Sequence, residues 1–149
     1  MNRLEGQSLL IVVPEPKNRS SVRVSLGDLV RILMILPAFD ARRTVWASNQ
    51  DLFPLANLSE AVEATIEIDQ AALVAEEYDW ILNLSLAQLD WNHKNIFNLC
   101  DEFPDNGYLK EKTYNLMKIF YDFFGYIRYK IYLSWCNKKS GHLVSPILL

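Results

Sequence analysis

Five consecutive apolar residues, Leu9-Leu10-Ile11-Val12-Val13, stand near the start of the chain and are closed off by Pro14 and Pro16. The run is rich in β-branched residues and far shorter than the ~18 apolar residues a membrane span needs. It has no polar face, so both of its sides must be covered, which is the situation of a strand inside a parallel sheet. Three later segments share its β-branched and aromatic character: Arg43–Ser48 (RTVWAS), Ala64–Ile68 (ATIEI) and Tyr78–Leu84 (YDWILNL). Helical signals fall between them. Ser25 or Asp28 caps a helix running to about Leu36, which Pro37 ends or bends. Asn49 caps a short helix from Asp51, and Asp69 caps one over Gln70–Glu77. The order β-α-β-α-β-α-β with short links implies parallel strands joined by right-handed crossovers. The fold class is therefore α/β, a Rossmann-like parallel sheet flanked by helices. In such sheets ligands bind beyond the C-terminal ends of the strands. Here that edge carries the loop 14–28, the residues near Ser48–Asp51, Asp69 and the segment from Ser85.

With 149 residues, half of them hydrophobic and 22% charged, the chain can bury the core of one ordinary domain. Its net charge of −3 gives no basis for binding nucleic acid. The charge is uneven: residues 1–107 hold eight basic and sixteen acidic residues, and residues 108–149 hold seven basic and two acidic ones. The division suggests a Rossmann-like domain over 1–107 with an irregular loop excursion at 86–107, followed by an aromatic, basic helical segment over 108–149. Within Tyr108–Trp135 the apolar Leu116, Ile119, Phe120, Phe123, Ile127 and Ile131 recur at spacings of three and four. Lys110, Lys112, Lys118, Arg128 and Lys130 occupy the other face. Such a helix packs on its own sheet, docks on a partner subunit or a second copy, or makes peripheral contact with a membrane surface.

Cys100 and Cys136 are too few for a secreted disulfide scaffold, and neither they nor His93 and His142 stand at zinc spacing. The N-terminal run is too short for a secretory signal, so the expected location is the cytoplasm. GxGxxG, P-loop and GxSxG patterns are absent from the sequence. No cofactor and no metal are expected.

Several collinear motifs carry a family resemblance: SLGDLVRILMILPAF (25–39), TVWASNQDLFPLANL (44–58), IEID (66–69), EYDWILNLS (77–85) and KTYNLMKIFYDFFG (112–125). Together they resemble glycosyltransferase family 9, the ADP-heptose heptosyltransferases of lipopolysaccharide core assembly and their relatives. The resemblance covers about residues 8–125. It implies the N-terminal half of a two-domain GT-B fold, the half that holds the sugar acceptor, including a lipid-linked one. The nucleotide-sugar donor would lie mostly on a second domain, whose motifs have no counterpart here. The expectation is therefore an inverting transferase that needs a second domain or subunit, serving cell-envelope polysaccharide.

The resemblance assigns the base that takes a proton from the acceptor hydroxyl to Asp28, after Gly27. Read as residues alone, Asp28 is a plain N-cap, and Gly27 serves an unusual backbone angle. Ser25, Gly27, Trp91 and His93 are the candidate acceptor-binding residues, with Trp91 stacking on a sugar; the plain alternative for His93 is a surface-loop histidine. The alternative for the whole chain is a non-catalytic binding or scaffolding α/β domain that associates with a partner chain.

Overall fold

The computed structural model describes residues 3–14, 26–85 and 88–99. The strands are β1 (Ser8–Val13), β2 (Arg43–Ser48), β3 (Ala64–Ile66), β4 (Trp80–Asn83) and β5 (Ile96–Asn98). They form one sheet in the order β3-β2-β1-β4-β5, and every pairing is parallel. The helices are α1 (Leu26–Ile35), the single turn α2 (Phe53–Ala56) and α3 (Ile68–Val74).

The apolar run near the start of the chain becomes the central strand, and all six residues of β1 are buried. Successive side chains alternate between two covered faces. Leu9, Ile11 and Val13 share one cluster with Leu29, Ile32 and Leu33 of α1 and with Trp46, Leu82 and Phe97. Leu10 and Val12 belong to the other, with Val45, Ala47, Ile81, Ala71 of α3 and Ala75 just after it. Each fully buried aliphatic side chain contributes about 1.5–3 kcal/mol, so the two faces of β1 anchor the domain. Small residues on α3 let its backbone approach the sheet closely. The expected α/β, Rossmann-like sheet with flanking helices is thus present.

The chain leaving α1 returns to the start of β1. Leu36–Phe39 form a 3-10 turn with Pro37 in its first positions, so the proline redirects the helix and tightens it. Asp40 ends the turn in the left-handed region at φ 53°. The Gly6 N–H donates to the Asp40 carbonyl at 3.1 Å, and the Arg42 N–H to the Gln7 carbonyl at 2.8 Å. Gly6 meets this turn at φ +73°, a conformation open to glycine. These ties fix the end of the α1 connection at the N-terminal edge of β1. The first turn of α1 therefore faces the C-terminal edge of the sheet.

Several boundaries differ from those read in the sequence. β3 ends at Ile66 because Glu67 takes the N-cap of α3 in extended backbone and forms a capping box with Gln70. Asp69, expected as the cap, falls in the first turn. β4 begins at Trp80, because the Tyr78 N–H still closes the 3-10 turn after α3 by donating to the Ala75 carbonyl. Asn49 does cap the turn after β2, its side chain accepting from the Asp51 N–H. The largest difference is β5, which lies inside the segment read as irregular. Residues 88–95 carry the chain back toward the start of β5 without a helix, and Leu89 and Trp91 pack against the cluster of Leu10 and Val12.

Among the described residues no helix is long and apolar enough to cross a membrane. The aromatic, basic segment 108–149, with its expected helix at 108–135, lies outside the described residues, as do Ser25, Cys100 and Cys136.

Candidate functional site at the C-terminal edge of the sheet

At the end of β2 the Ser48 side chain is fully buried. Its hydroxyl accepts from Trp46 Nε1 at 2.8 Å and donates to the Asn49 carbonyl at 2.8 Å. This relay fixes the exit of the strand, so that Asn49, Gln50 and Asp51 turn across the top of the sheet. One strand over, Glu67 stands where β3 gives way to α3. Gln50 Nε2 donates to Glu67 Oε1 at 2.8 Å and links the two strand exits. Pro14 after β1, together with Ile68 and Asp69, completes the lining of an open cleft of about 580 Å³.

The lining offers three carboxylates (Asp51, Glu67, Asp69), two amides (Asn49, Gln50) and the Ser48 hydroxyl. None of these residues is cationic. Carboxylates and amide oxygens accept hydrogen bonds from hydroxyls, whereas a phosphate placed here would meet like charge. Among the described residues no group of three or more His, Cys, Asp and Glu side chains could hold a metal ion. A second hollow between α1 and the turn after α2, bounded by Leu33, Met34 and Leu58, measures only about 90 Å³.

The structure separates the residues singled out in the sequence. Gly27 and Asp28 lie in the first turn of α1, Gly27 exposed and Asp28 fully buried. Asp28 is a helical residue in place of the expected cap, and its Oδ1 accepts from Arg31 Nη1 at 2.7 Å in an i, i+3 ion pair. Arg31 thus holds one oxygen of a carboxylate that has no solvent exposure.

His93 and Trp91 are not near Asp28. His93 Nε2 lies 2.8 Å from the Tyr78 carbonyl, and its Nδ1 accepts from the Asn95 N–H at 3.0 Å. With Nδ1 accepting, the ring carries its proton on Nε2 and donates it to Tyr78. Tyr78 precedes β4 and Asn95 precedes β5, so His93 sits at the N-terminal edge of the sheet. The six residues of β1 separate the two edges by about 20 Å. Trp91 packs on the sheet face, where the indole serves the core. The structure thus places Trp91 and His93 apart from Asp28, His93 at the opposite edge of the sheet and Trp91 against one of its faces.

At the C-terminal ends of β4 and β5 two amides form a pair. Asn83 is fully buried, and its Nδ2 donates to Asn98 Oδ1 at 2.8 Å. The Ser85 N–H donates to Asn83 Oδ1 at 3.1 Å, and the Leu89 N–H to Asn98 Oδ1 at 3.3 Å. Asn83 lies beside Val12 of β1, where the connections turn from one side of the sheet to the other. Ligands of open α/β sheets characteristically bind at this position.

Fold and site together define a doubly wound α/β domain with a hydroxyl-compatible cleft along the C-terminal edge of its sheet. No protein-family model, curated protein or solved structure matches the chain.

Proposed function

We propose that this chain is the acceptor-binding domain of a glycosyltransferase, similar in kind to the heptosyltransferases that its sequence resembles, and that it holds a sugar at the C-terminal edge of the sheet. The observation that carries the proposal is the cleft formed by Ser48, Asn49, Gln50, Asp51, Glu67 and Asp69, which gathers hydrogen-bonding groups and, among the described residues, no cation. That chemistry suits the hydroxyls of an acceptor and disfavours the pyrophosphate of a nucleotide sugar, which calls for positive charge. The donor would then be held by a second domain or subunit. In the transferase reading Asp28 is the base, with its Oδ1 held by Arg31.

A second reading, a binding domain without catalysis, is favoured by the ion pair between half-exposed Arg31 and buried Asp28, which leaves one carboxylate oxygen engaged. Calorimetric titration of the chain with core-type oligosaccharides and with nucleotide diphosphate sugars tests the binding proposal. Saccharide binding that weakens on Asp51→Ala, with nucleotide sugars bound poorly or not at all, is the expected result. If neither class binds, the acceptor-domain proposal fails. In an assembly that transfers sugar, unchanged turnover on Asp28→Asn selects against Asp28 as the base and leaves binding intact.

A further inference from the structure

The outer face of α1 is nearly as apolar as the face it turns to the sheet. We propose that the groove between this outer face and the turn after α2 is a docking surface, and that its occupant is the chain's own basic, aromatic segment 108–135. The inference is independent of the acceptor-binding reading.

Within α1 only Gly27, Asp28 and Arg31 are not hydrophobic, and Asp28 and Arg31 bond to each other. A surface helix ordinarily carries polar residues on its outer side, whereas one that is apolar all round is covered on both sides. Leu29 and Ile32 are fully buried in the cluster beneath the helix. On the other side Val30, Met34 and Pro37 follow one another at spacings of four and three; the first two are half-buried and Pro37 is exposed. Leu58, just after α2, stands beside them at 73% exposure. With Leu33 these side chains bound the hollow of about 90 Å³. A hollow of that size takes one apolar side chain, the unit of knob-into-hole helix packing, and is too small for a cofactor or a sugar.

Pattern, reach and charge select the occupant. Leu116, Phe120, Phe123, Ile127 and Ile131 form one stripe at spacings of four, three, four and four, which matches the row on α1. Leu99, just after β5, packs in the same cluster as α1 and so lies on α1's side of the sheet. From there residues 100–115 reach about 50 Å when extended, whereas the groove is two strand spacings and one helix thickness away, about 20 Å. The groove is bordered by Glu60, and none of its lining residues is cationic. Residues 108–149 hold seven basic and two acidic residues, and residues 1–107 hold eight and sixteen. A second copy would bring an acidic body against an acidic border, and an anionic membrane surface would meet the same border; the basic segment brings the opposite charge.

Hydrogen exchange of the full chain, read by mass spectrometry on peptides covering 112–131, tests the docking. Leu58→Asn and Met34→Gln are the variants, because both side chains lie on the outer side of the groove and neither belongs to the buried core. In wild type the 112–131 amides are expected to be protected to the same degree at every protein concentration. Each variant should speed their exchange about tenfold while the β1 amides keep their wild-type rates, which shows that the sheet is intact. Exchange of 112–131 at unfolded-chain rates in wild type overturns the inference, and so does protection that neither variant changes. Protection that grows with concentration as the chain dimerises assigns the groove to a second copy and overturns it as well. Protection that appears only with anionic vesicles assigns the segment to a membrane surface, with the same result.

Discussion

Ser8 and Asp79 hold the starts of β1 and β4 together through three hydrogen bonds. The Ser8 N–H donates to Asp79 Oδ2 at 2.9 Å, the Ser8 hydroxyl to the same oxygen at 3.1 Å, and the Asp79 N–H to the Ser8 hydroxyl at 2.9 Å. The bond from the Ser8 backbone is the main cause that holds the Asp79 carboxyl below its ordinary value of 3.8; partial burial opposes it, and the Ser8 hydroxyl, Arg42 and Lys94 add to it. A carboxyl lowered on folding stabilises the native state above its unfolded pKa, and that contribution is lost as pH falls through the folded value. Asp79→Ala should therefore be less stable than wild type in urea at neutral pH. The gap should be constant down to about pH 4 and narrow below 3.8. A gap that stays the same into strong acid would show that the carboxylate charge contributes nothing. The carboxylate of Asp79 lies 3.9 Å from Arg42 Nη2, a loose surface contact that by itself adds little.

At the scale of elements, Glu67 serves two structures at once. It caps α3, with Gln70 Oε1 accepting from the Glu67 N–H at 3.4 Å, and it lines the cleft while receiving Gln50. The two roles can be separated. Gln70→Ala should cost about 0.5–1 kcal/mol of stability, the low end of a cap effect, and leave saccharide affinity unchanged. Glu67→Ala should lower both the unfolding midpoint and the affinity. Equal affinity losses in the two variants would mean that the cleft depends on the helix terminus as a whole. The same element shows why sequence reading stopped short. Ala64–Ile68 alternates like a strand, but the alternation continues past the point where Glu67 turns out of the sheet, and both Glu67 and Asp69 are acceptable caps. β5 left even less signal: Ile96, Phe97 and Asn98 are three residues, too few to display a period. Long runs such as Leu9–Val13 and Arg43–Ser48, by contrast, placed their strands correctly, since burial on both faces leaves its mark in composition. For the site, the rule that ligands lie beyond strand C-termini pointed to Ser48–Asp51 and Asp69. The rule cannot see that residues 88–95 carry Trp91 and His93 to the other edge, because an extended crossover has no helical pattern to reveal its direction.

Across the whole molecule, stability is graded from the centre of the sheet outward. β1 is paired on both sides and covered on both faces, whereas β3 and β5 have three residues each and, among the described residues, one pairing partner each. Amide hydrogen exchange should find the β1 amides opening only with global unfolding, and those of β3 and β5 exchanging through smaller, local openings. Uniform protection across all five strands would contradict this gradient. The His93 ring gives the outer unit its own indicator. Its Nε2 proton is held against the Tyr78 carbonyl while Nδ1 is held by Asn95, so the imidazole bridges the chain before β5 to the chain before β4. A ring proton of this kind leaves for water only when that bridge parts. Its lifetime in a nitrogen-resolved NMR spectrum therefore serves as a clock for the undocking of one strand, read from a single side chain while the rest of the sheet remains closed.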